Sequence, residues 1–345
     1  MFGRRATTPV NTSAQSFLPR GAHWSGRGYL LGPPLAAGLA FSAAVLLSGC
    51  GGGGGGGSAS SGSNSIGDTA PAALFFQADD GTVGVEPWVS DGTKTGTELL
   101  KNIHGSGGDS DPKSFTRVNG TFIFAATTSA EGTELWRTDG TRDGTKLLKD
   151  INPGPGDGVS SSISGPAIAV LDGHAYFAGD DPNNGGTELW RTDGTRSGTE
   201  LVSDIRVGSA SSTPRNLYAY DGRVYFTADD GTHDEELWVS DGTGSGTRML
   251  KDIHQSGVAL PRAFTESGGK LFFVADDGTH GRELWVTEGT KASTQLVDDI
   301  YPNADDAFVS FPELATFGQG VAFAAKDGTH GPEVWLSEGT AKTTR

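Results

Sequence analysis

Three pairs of acidic residues are the side chains in this sequence best suited to hold a metal ion. Each pair is followed by a glycine: Asp79-Asp80, Asp229-Asp230 and Asp276-Asp277. Carboxylate oxygens clustered in a loop, beside a glycine that allows a tight bend, suit Ca²⁺. Asp-Gly is also the commonest hairpin turn, and these loops lack the spaced ligands of a recognised calcium loop. Calcium binding and a structural turn therefore both stand as interpretations.

The histidines do not form a catalytic set in the sequence. His233, His280 and His330 recur at one position of a repeated phrase, and His104 and His254 share another. A reaction needs one asymmetric site, whereas repeated positions supply equivalent ones, and no histidine cluster has zinc-ligand spacing. We therefore predict that the chain is not an enzyme.

A glutamate stands two residues before each of six tryptophans. Because side chains alternate along a strand, each glutamate shares the face of its tryptophan. Six copies indicate that the glutamate has the same role in every repeat, such as accepting hydrogen bonds from the backbone amides of the preceding loop. Six carboxylates converging on a central channel would instead resemble the carboxylate pair of a glycosidase. The tryptophans, which we predict to be structural, are Trp88, Trp136, Trp190, Trp238, Trp285 and Trp335.

The spacing of these tryptophans reveals an internal repeat of roughly 48 residues. Their separations are 48, 54, 48, 47 and 50 residues. Each repeat contains four short apolar runs joined by Asp-Gly type turns; in the fourth repeat the runs begin at Val224, Glu236, Arg248 and Ala263. This pattern is typical of antiparallel strands, and 54 glycines in 345 residues disfavour helices.

These observations predict an all-β fold, a β-propeller-like array of about six four-stranded antiparallel repeats. Both faces of each repeat are then covered by its neighbours, so that adjacent Leu and Trp side chains, which point to opposite faces, are both apolar. Tryptophan supplies the largest apolar area, and its indole N–H is expected to bond a backbone acceptor between repeats.

The repeated phrase resembles the ELWxxDGT repeat family of exported bacterial proteins. The residues that carry the resemblance include Glu134-Leu135-Trp136 with Asp139-Gly140-Thr141, and Lys149-Asp150-Ile151 after them. Equivalent residues recur through the chain, with departures at Pro87, Val334, Glu288 and Glu338. The resemblance implies a propeller-like exported repeat protein, usually without an assigned activity, and it supplies no active site.

The two ends of the array do not match. The first repeat opens at Ala73 and the sixth stops at Arg345, so that 22 strands are predicted rather than 24 and the last repeat is incomplete. Residues before Pro71 are too rich in Gly and Ser to donate the two strands that the last repeat lacks. The alternatives are a shortened gene model, a ring of five full blades with a spare hairpin, or an open edge that recruits a partner strand. We favour a shortened gene model or imperfect closure.

The N-terminal segment reads as an export signal. Residues 1–49 hold four Arg and no acidic residue, and the apolar run from Leu35 to Leu47 is too short for an ordinary membrane span. Leu47-Ser48-Gly49-Cys50 resembles the lipobox of bacterial lipoproteins, which implies lipidation of Cys50. If the sorting rule of that family applies, Gly51 favours the outer membrane. The alternative is a signal peptide without lipidation and an incidental cysteine.

A flexible tether follows the predicted signal. Residues 50–70 contain seven consecutive glycines, Gly51 to Gly57, and a Ser-rich run. Such a segment cannot bury enough apolar surface to become ordered, and about twenty residues of it give a reach of roughly 25 Å. We assign residues 71–345 to one repeat domain. Because Cys50 is the only cysteine, that domain must be stable through packing alone.

The charge of the exported part restricts its partners. Twenty-two basic and 42 acidic residues follow residue 49, which gives a net charge near −20. This charge repels nucleic acid and anionic lipid, although acidic turns also simply keep an exported protein soluble. We predict a non-catalytic binding or scaffold module for protein or glycan, with no cofactor other than the calcium option. Its only membrane contact is the lipid anchor.

Two other functional classes stay open. A polysaccharide hydrolase or lyase would use the central channel and the two irregular segments, residues 152–165 and 181–186. The acids to test are Asp157 in the first segment and Asp180 beside the second. A structural surface component would be recognised by self-association through an open edge. The fold does not decide among these classes.

Overall fold

The computed structural model describes residues 73–159, 168–183, 185–302, 305–308 and 312–345, together with the backbone of residues 40–45. The described residues form 23 strands in six antiparallel sheets, and their one helical element is a 3₁₀ turn at Ala341–Thr343. The predicted all-β, propeller-like array of about six repeats with an incomplete last repeat is confirmed.

Each sheet is a meander in which the strands pair in chain order. The first sheet contains β1 (Ala40–Val45), β2 (Leu74–Asp79), β3 (Val85–Ser90) and β4 (Thr97–Leu99), and the second contains β5 (Lys113–Val118), β6 (Thr121–Thr128), β7 (Gly132–Thr138) and β8 (Lys146–Lys149). The third contains β9 (Ala169–Leu171), β10 (His174–Asp181), β11 (Gly186–Thr192) and β12 (Glu200–Ser203), and the fourth contains β13 (Arg215–Tyr220), β14 (Arg223–Asp229), β15 (Glu235–Ser240) and β16 (Arg248–Lys251). The fifth contains β17 (Arg262–Ser267), β18 (Lys270–Asp276), β19 (Arg282–Thr287) and β20 (Gln295–Leu296), and the sixth contains β21 (Leu314–Phe317), β22 (Gly320–Ala325) and β23 (Glu333–Ser337).

The predicted repeat is offset from the observed sheet by one strand. The run at Ala263, taken as the fourth strand of its repeat, lies in β17 and is the first strand of the next sheet. The reason is the tight turn between first and second strands: at Asn119-Gly120 and Asp221-Gly222 both residues have positive φ, as a two-residue hairpin requires. The connection after each fourth strand is long, so it carries the chain to a new sheet.

The Asp-Gly-Thr phrase closes the turn between the third and fourth strands. In the fourth sheet, Asp241 Oδ1 accepts bonds from the backbone N–H of Thr243 at 2.9 Å and from its hydroxyl at 2.7 Å. The hydroxyls of Ser240 and Thr247 then join the two strand ends at 2.7 Å. Gly242 has a φ of 90°, a conformation that favours glycine. The Asp-Gly type turn that the sequence predicts between these strands is therefore observed.

Consecutive sheets pack through opposite faces. The face that carries the Leu of the repeated phrase lies against the face of the next sheet that carries the Trp. A lysine adds to this contact: Lys149 Nζ lies 5.1 Å from the centre of the Trp190 ring and donates to Thr199 O. The contacting sets, from the first junction to the fifth, are Phe75 and Val89 with Phe124 and Trp136; Ile123 and Leu135 with Phe177 and Trp190; Tyr176 and Leu189 with Phe226 and Trp238; Tyr225 and Leu237 with Phe273 and Trp285; and Phe272 and Leu284 with Phe323 and Trp335.

The indole N–H groups do not bond between repeats as we expected. Trp88 and Trp335 donate to Ala78 O and Ala325 O, which belong to their own sheets. The other four indole nitrogens are buried without a hydrogen-bond partner in the described structure: Trp136, Trp190, Trp238 and Trp285. Apolar packing against the preceding sheet therefore determines where these rings lie, and the N–H group follows.

The first sheet gains a strand from a segment that we assigned to the export signal. Residues 40–45 form β1, which pairs with β2 in the first sheet. The described part of this segment adds no strand to the incomplete sixth sheet, which contains β21, β22 and β23. The edge of β2 offers unpaired backbone groups, and any extended segment within reach can satisfy them. At the other end, Arg345 exchanges two backbone hydrogen bonds with Leu336 of β23.

Candidate functional site

The loops that contain the paired aspartates, the repeated histidines and the irregular acidic segments all lie at one edge of the array. Because the strands are antiparallel, the turn between second and third strands and the connection after the fourth strand emerge at the same edge. We call this the loop edge. It consists of the turns at 79–84, 128–132, 181–183 with 185–186, 229–234, 276–281 and 325–332 and the connections at 101–112, 150–159, 204–214, 252–261 and 299–302 with 305–308.

The paired aspartates of the loop edge organise their own turns. Asp276 Oδ1 accepts from the N–H of Gly278 at 2.7 Å, and Asp277 Oδ1 accepts from Thr279 and His280, both at 2.9 Å. Asp229-Asp230 bonds Gly231, Thr232 and His233 in the same way. In the first sheet, Asp79 and Asp80 bond Gly81 and Thr82. The carboxylates proposed as calcium ligands are thus acceptors for backbone amides.

Two of these turns, and the equivalent turn of the sixth sheet, also hold a histidine against an aspartate. The Nδ1 atoms of His233, His280 and His330 lie 2.8 to 2.9 Å from an Oδ2 of Asp230, Asp277 and Asp327. This bond raises the pKa of each imidazole. Burial alone would raise the pKa of Asp277, but the bonds from His280 outweigh it and hold that pKa below its usual range. Asp327 was missed in the sequence because Lys326 replaces the first acid of the pair.

Five of the six glutamates of the repeated phrase lie beneath the loop edge and are fully buried. Glu236 accepts from the N–H groups of Ile253 and His254 at 2.7 and 3.0 Å, and Glu283 accepts from Ile300 and Tyr301. The amides belong to the loop that follows the same sheet, and not to the preceding loop as expected. Burial raises the pKa of Glu236 to about 7 and that of Glu283 to about 8.

The sixth glutamate differs, because Glu333 is exposed. The six copies are therefore not equivalent. Five of them, Glu86, Glu134, Glu188, Glu236 and Glu283, are buried and fix the connection after the fourth strand. Their backbone partners make them structural acceptors, which is the interpretation that the sequence favoured.

Residues that follow the Lys-Asp-Ile element interlock neighbouring sheets at the loop edge. Arg206, His254 and Tyr301 lie against Gly231, Gly278 and Gly328, which belong to the turn of the next sheet. A Cβ added at Gly278 would lie 2.5 Å from the His254 Nε2 atom, so only glycine leaves room for the ring. Arg206 also pairs with Asp229. The sequence indicated the histidine but not the arginine or the tyrosine. These residues occupy the same position of the repeat as His254 and differ from it in residue type.

The two irregular segments converge at the junction of the second and third sheets. Asp180 N–H donates to Gly158 O at 2.8 Å, and Asp157 Oδ1 accepts from Thr133 N–H at 2.7 Å. Burial, together with Asp181 and Asp157, raises the pKa of Asp180. A cavity of about 390 Å³ opens nearby, lined by Asn183 and Asp204 among others. Asp157, Asp180 and Asp181 therefore lie in one region of the loop edge.

No metal site or membrane-crossing helix is present in the part of the chain that the structure describes. No group of three or more His, Cys, Asp or Glu side chains is arranged to hold an ion among those residues. Within the same ranges, no helix is long and apolar enough to cross a bilayer. Cys50 and the predicted tether lie outside the described residues, as does the predicted export signal apart from the backbone of β1.

Comparisons with known proteins find similarity in fold only. No protein family matches the sequence, and no curated protein matches it. Among solved structures, the chain is similar to puromycin hydrolase (16% identity, TM-score 0.47), prolyl oligopeptidase B from Galerina marginata (12%, 0.44) and TolB from Acinetobacter baumannii (13%, 0.37). These matches cover 80%, 79% and 80% of this chain but only 43%, 40% and 59% of the other chains. Identities this low carry no information about activity.

The buried glutamates predict a stability that falls as pH rises. The pKa of Glu283 is raised from 4.5 to about 8, so the folded chain binds more protons than the unfolded chain between these values. The stabilisation is complete below about pH 4.5 and is lost as pH rises through about 8. We expect denaturant unfolding to show this decline, and Glu283→Gln to flatten it. Glu333→Gln is the matched control, and an equal flattening there would contradict the assignment.

The acidic turns predict indifference to calcium. Asp277 already uses one oxygen for two amides and the other for His280, so we expect Ca²⁺ and a chelator to give the same thermal midpoint. Asp277→Asn should lose about 1 kcal/mol in both conditions because a charged acceptor is lost. A midpoint that rises with Ca²⁺ in the unsubstituted chain, but not in Asp276→Asn/Asp277→Asn, would make these residues ligands. Asp241→Asn, at the opposite edge, is the control.

Proposed function

We propose that this chain is a lipid-anchored, non-catalytic binding or scaffold module of the bacterial cell envelope, and that its loop edge contacts a protein or a glycan. The observation that carries the proposal is the repeated fixing of the loop edge by its own side chains. Asp230, Asp277 and Asp327 hold their turns, while buried glutamates hold the connections beside them. Loops held in one conformation lose little entropy when a partner binds.

The exposed groups of the loop edge suit a partner that is neutral or positively charged. The side chains of His233, His280 and His330 are 37%, 36% and 64% exposed and lie at equivalent places in three sheets. Imidazoles beside carboxylates donate and accept hydrogen bonds, which matches sugar hydroxyls and polar peptide groups. A net charge near −20 after residue 49 opposes nucleic acid.

The lipid anchor is proposed from the sequence around Cys50. A basic region, an apolar run, small residues and Cys50 follow one another in the order of a lipoprotein signal, and Gly51 favours the outer membrane. Cleavage before Cys50 would also remove β1, leaving β2 as the edge of the first sheet. The tether of residues 50–70 would then hold the array clear of the lipid headgroups.

Substitution of Cys50 tests whether the chain is lipidated and bound to the membrane. With Cys50→Ala, we expect the chain to leave the membrane fraction and to lose the mass of the attached lipid, because no other thiol is present. Ser58→Ala, in the tether, is the control and should fractionate like the unsubstituted chain. Unchanged fractionation and mass in Cys50→Ala would refute lipidation.

A polysaccharide hydrolase or lyase is the second candidate. The observation that favours it is the convergence of Asp157, Asp180 and Asp181, with burial raising the pKa of Asp180 as a general acid requires. The weakness of this candidate is that Asp157 bonds the backbone of Thr133 and Asp181 bonds that of Asn183. Two of the three acids therefore already accept hydrogen bonds from backbone amides.

A panel of envelope glycans and envelope proteins distinguishes the two candidates. We expect the full chain to bind a member without turnover, and His233→Ala/His280→Ala to weaken binding about tenfold, equivalent to about 1.4 kcal/mol. Arg142→Ala/Lys291→Ala, on exposed turns of the opposite edge, is the control and should bind normally. Glycan cleavage that disappears in Asp180→Asn would replace the binding function with an enzymatic one.

A further inference from the structure

The turn of the third sheet has a glycine at the position of the repeated histidine. In the fourth, fifth and sixth sheets, a histidine stands three residues before the glutamate of the repeated phrase. In the third sheet this residue is Gly185, and Pro182 replaces the aspartate that bonds the histidine elsewhere. The first and second sheets carry Val83 and Glu131 at the same position. The third sheet is therefore the one repeat without a side chain there.

In the fourth and fifth sheets, the histidine lies near the acid of the Lys-Asp-Ile element. The bond to the aspartate of its own turn raises the pKa of His233, and the charge of Asp252 raises it further. The bond to the turn aspartate and the charge of Asp299 act on His280 in the same way. In these two sheets, the acid thus has an imidazole of its own sheet beside it, whose positive charge it favours.

Asp204 is the equivalent acid of the third sheet. Its Oδ1 atom is buried without a hydrogen-bond partner among the described residues. A Cβ added at Gly185 would lie 3.0 Å from this oxygen, so a side chain at that position would begin beside the carboxylate. An Oδ1 atom also lacks a hydrogen bond in Asp150, Asp252 and Asp299. Asp204 differs from these three because no side chain stands at the facing position.

The cavity of about 390 Å³ at the loop edge lies at this position. Its lining includes Pro182, Gly185 and Asp204, which correspond to the turn aspartate, the histidine and the acid of the fourth sheet. Asn183 and Ser209 add polar groups to the lining. The volume is in the range of pockets that bind small molecules or single side chains. The cavity is therefore large enough for a group much larger than an imidazole.

Arg206 does not supply the positive charge that the third sheet lacks. It follows Asp204 by two residues, but its guanidinium lies 2.5 Å from Asp229 of the next sheet. Asp181, which directly precedes Pro182, adds a further acid to the same turn. The net charge near −20 after residue 49 favours a cation at such a site.

We propose that this cavity binds a cationic group that donates hydrogen bonds, such as the guanidinium or ammonium group of a ligand, with Asp204 as its counter-ion. The group takes the place that the His233 imidazole has beside Asp252 in the fourth sheet. Hydrogen bonds between a cation and a carboxylate are stronger than neutral ones, and a guanidinium matches a carboxylate in shape. The cation belongs either to a small organic molecule or to a basic side chain of a protein.

The inference deepens the proposed function and rests on its binding role for the loop edge. It adds that a ligand of this edge carries a basic group. The test below uses an isolated cation and needs no envelope component. Failure of the cation to bind and failure of the envelope panel are therefore separate results.

Titration calorimetry of the purified full chain with N-acetyl-arginine amide tests the site. All chains carry Cys50→Ala, so that no lipid is attached. We expect one bound molecule per chain, and binding at least about tenfold weaker in Asp204→Asn because a charged acceptor is lost. Asparagine already stands at the equivalent position of the first sheet, as Asn102, so this variant should fold. Thermal unfolding checks that it does.

Asp252→Asn is the matched control. It makes the same change in the fourth sheet, where His233 stands at the facing position, so the amide should bind normally. N-acetyl-citrulline amide is the control probe, because it has nearly the same shape without the charge. It should bind at least about tenfold more weakly than the arginine amide, since it cannot form a charged pair with Asp204.

A pentapeptide with one arginine between glycines identifies the source of the cation. Binding tighter than that of the amide would assign the site to a protein side chain, and equal binding would assign it to a small organic cation. Three results would overturn the proposal: no binding of the arginine amide, binding that is unchanged in folded Asp204→Asn, or equal binding of the citrulline probe.

Discussion

Each sheet of this protein is apolar on both faces, and the rest of the structure depends on covering them. Leu135 and Leu237 point to the next sheet, whereas Trp136 and Trp238 point to the preceding one, and these side chains are at most 8% exposed. A four-stranded sheet of this kind cannot be stable alone, so stability arises at the junctions between repeats. The same apolar pattern continues on the outward face of the sixth sheet, where no other described sheet packs and Val334 is 79% exposed.

Polar side chains fix the turns and connections at the two ends of the strands. At one edge the Asp-Gly-Thr turns bond internally; at the loop edge buried glutamates bond the backbone of the connections. Burying a carboxylate costs free energy, which is why the pKa of Glu236 rises to about 7. The arrangement persists because Ile253 and His254 N–H groups would otherwise be left without acceptors.

Because the repeated residues have structural roles, the repeated phrase does not indicate which reaction, if any, the chain carries out. Its Glu, Trp, Asp and Gly residues are used in packing and turns, and its histidines recur in three sheets. Variation enters at positions that the phrase does not include, such as Arg206, His254 and Tyr301, and at the irregular acids Asp157 and Asp180. In the proposed binding function, these positions would add to the contacts of the repeated histidines, because they differ from one repeat to the next.

The sequence by itself determined the all-β class, the six repeats, the burial of both sheet faces and the role of the Asp-Gly-Thr turn. These follow from periodicity and local turn chemistry, which need only neighbours in the chain. Only the tertiary structure decided which strand begins a sheet, that residues 40–45 pair with β2, that Glu236 bonds the following loop and that the indole N–H groups of Trp136 and Trp190 lack partners. Each of these depends on contacts between segments far apart in sequence, and on which surface covers which.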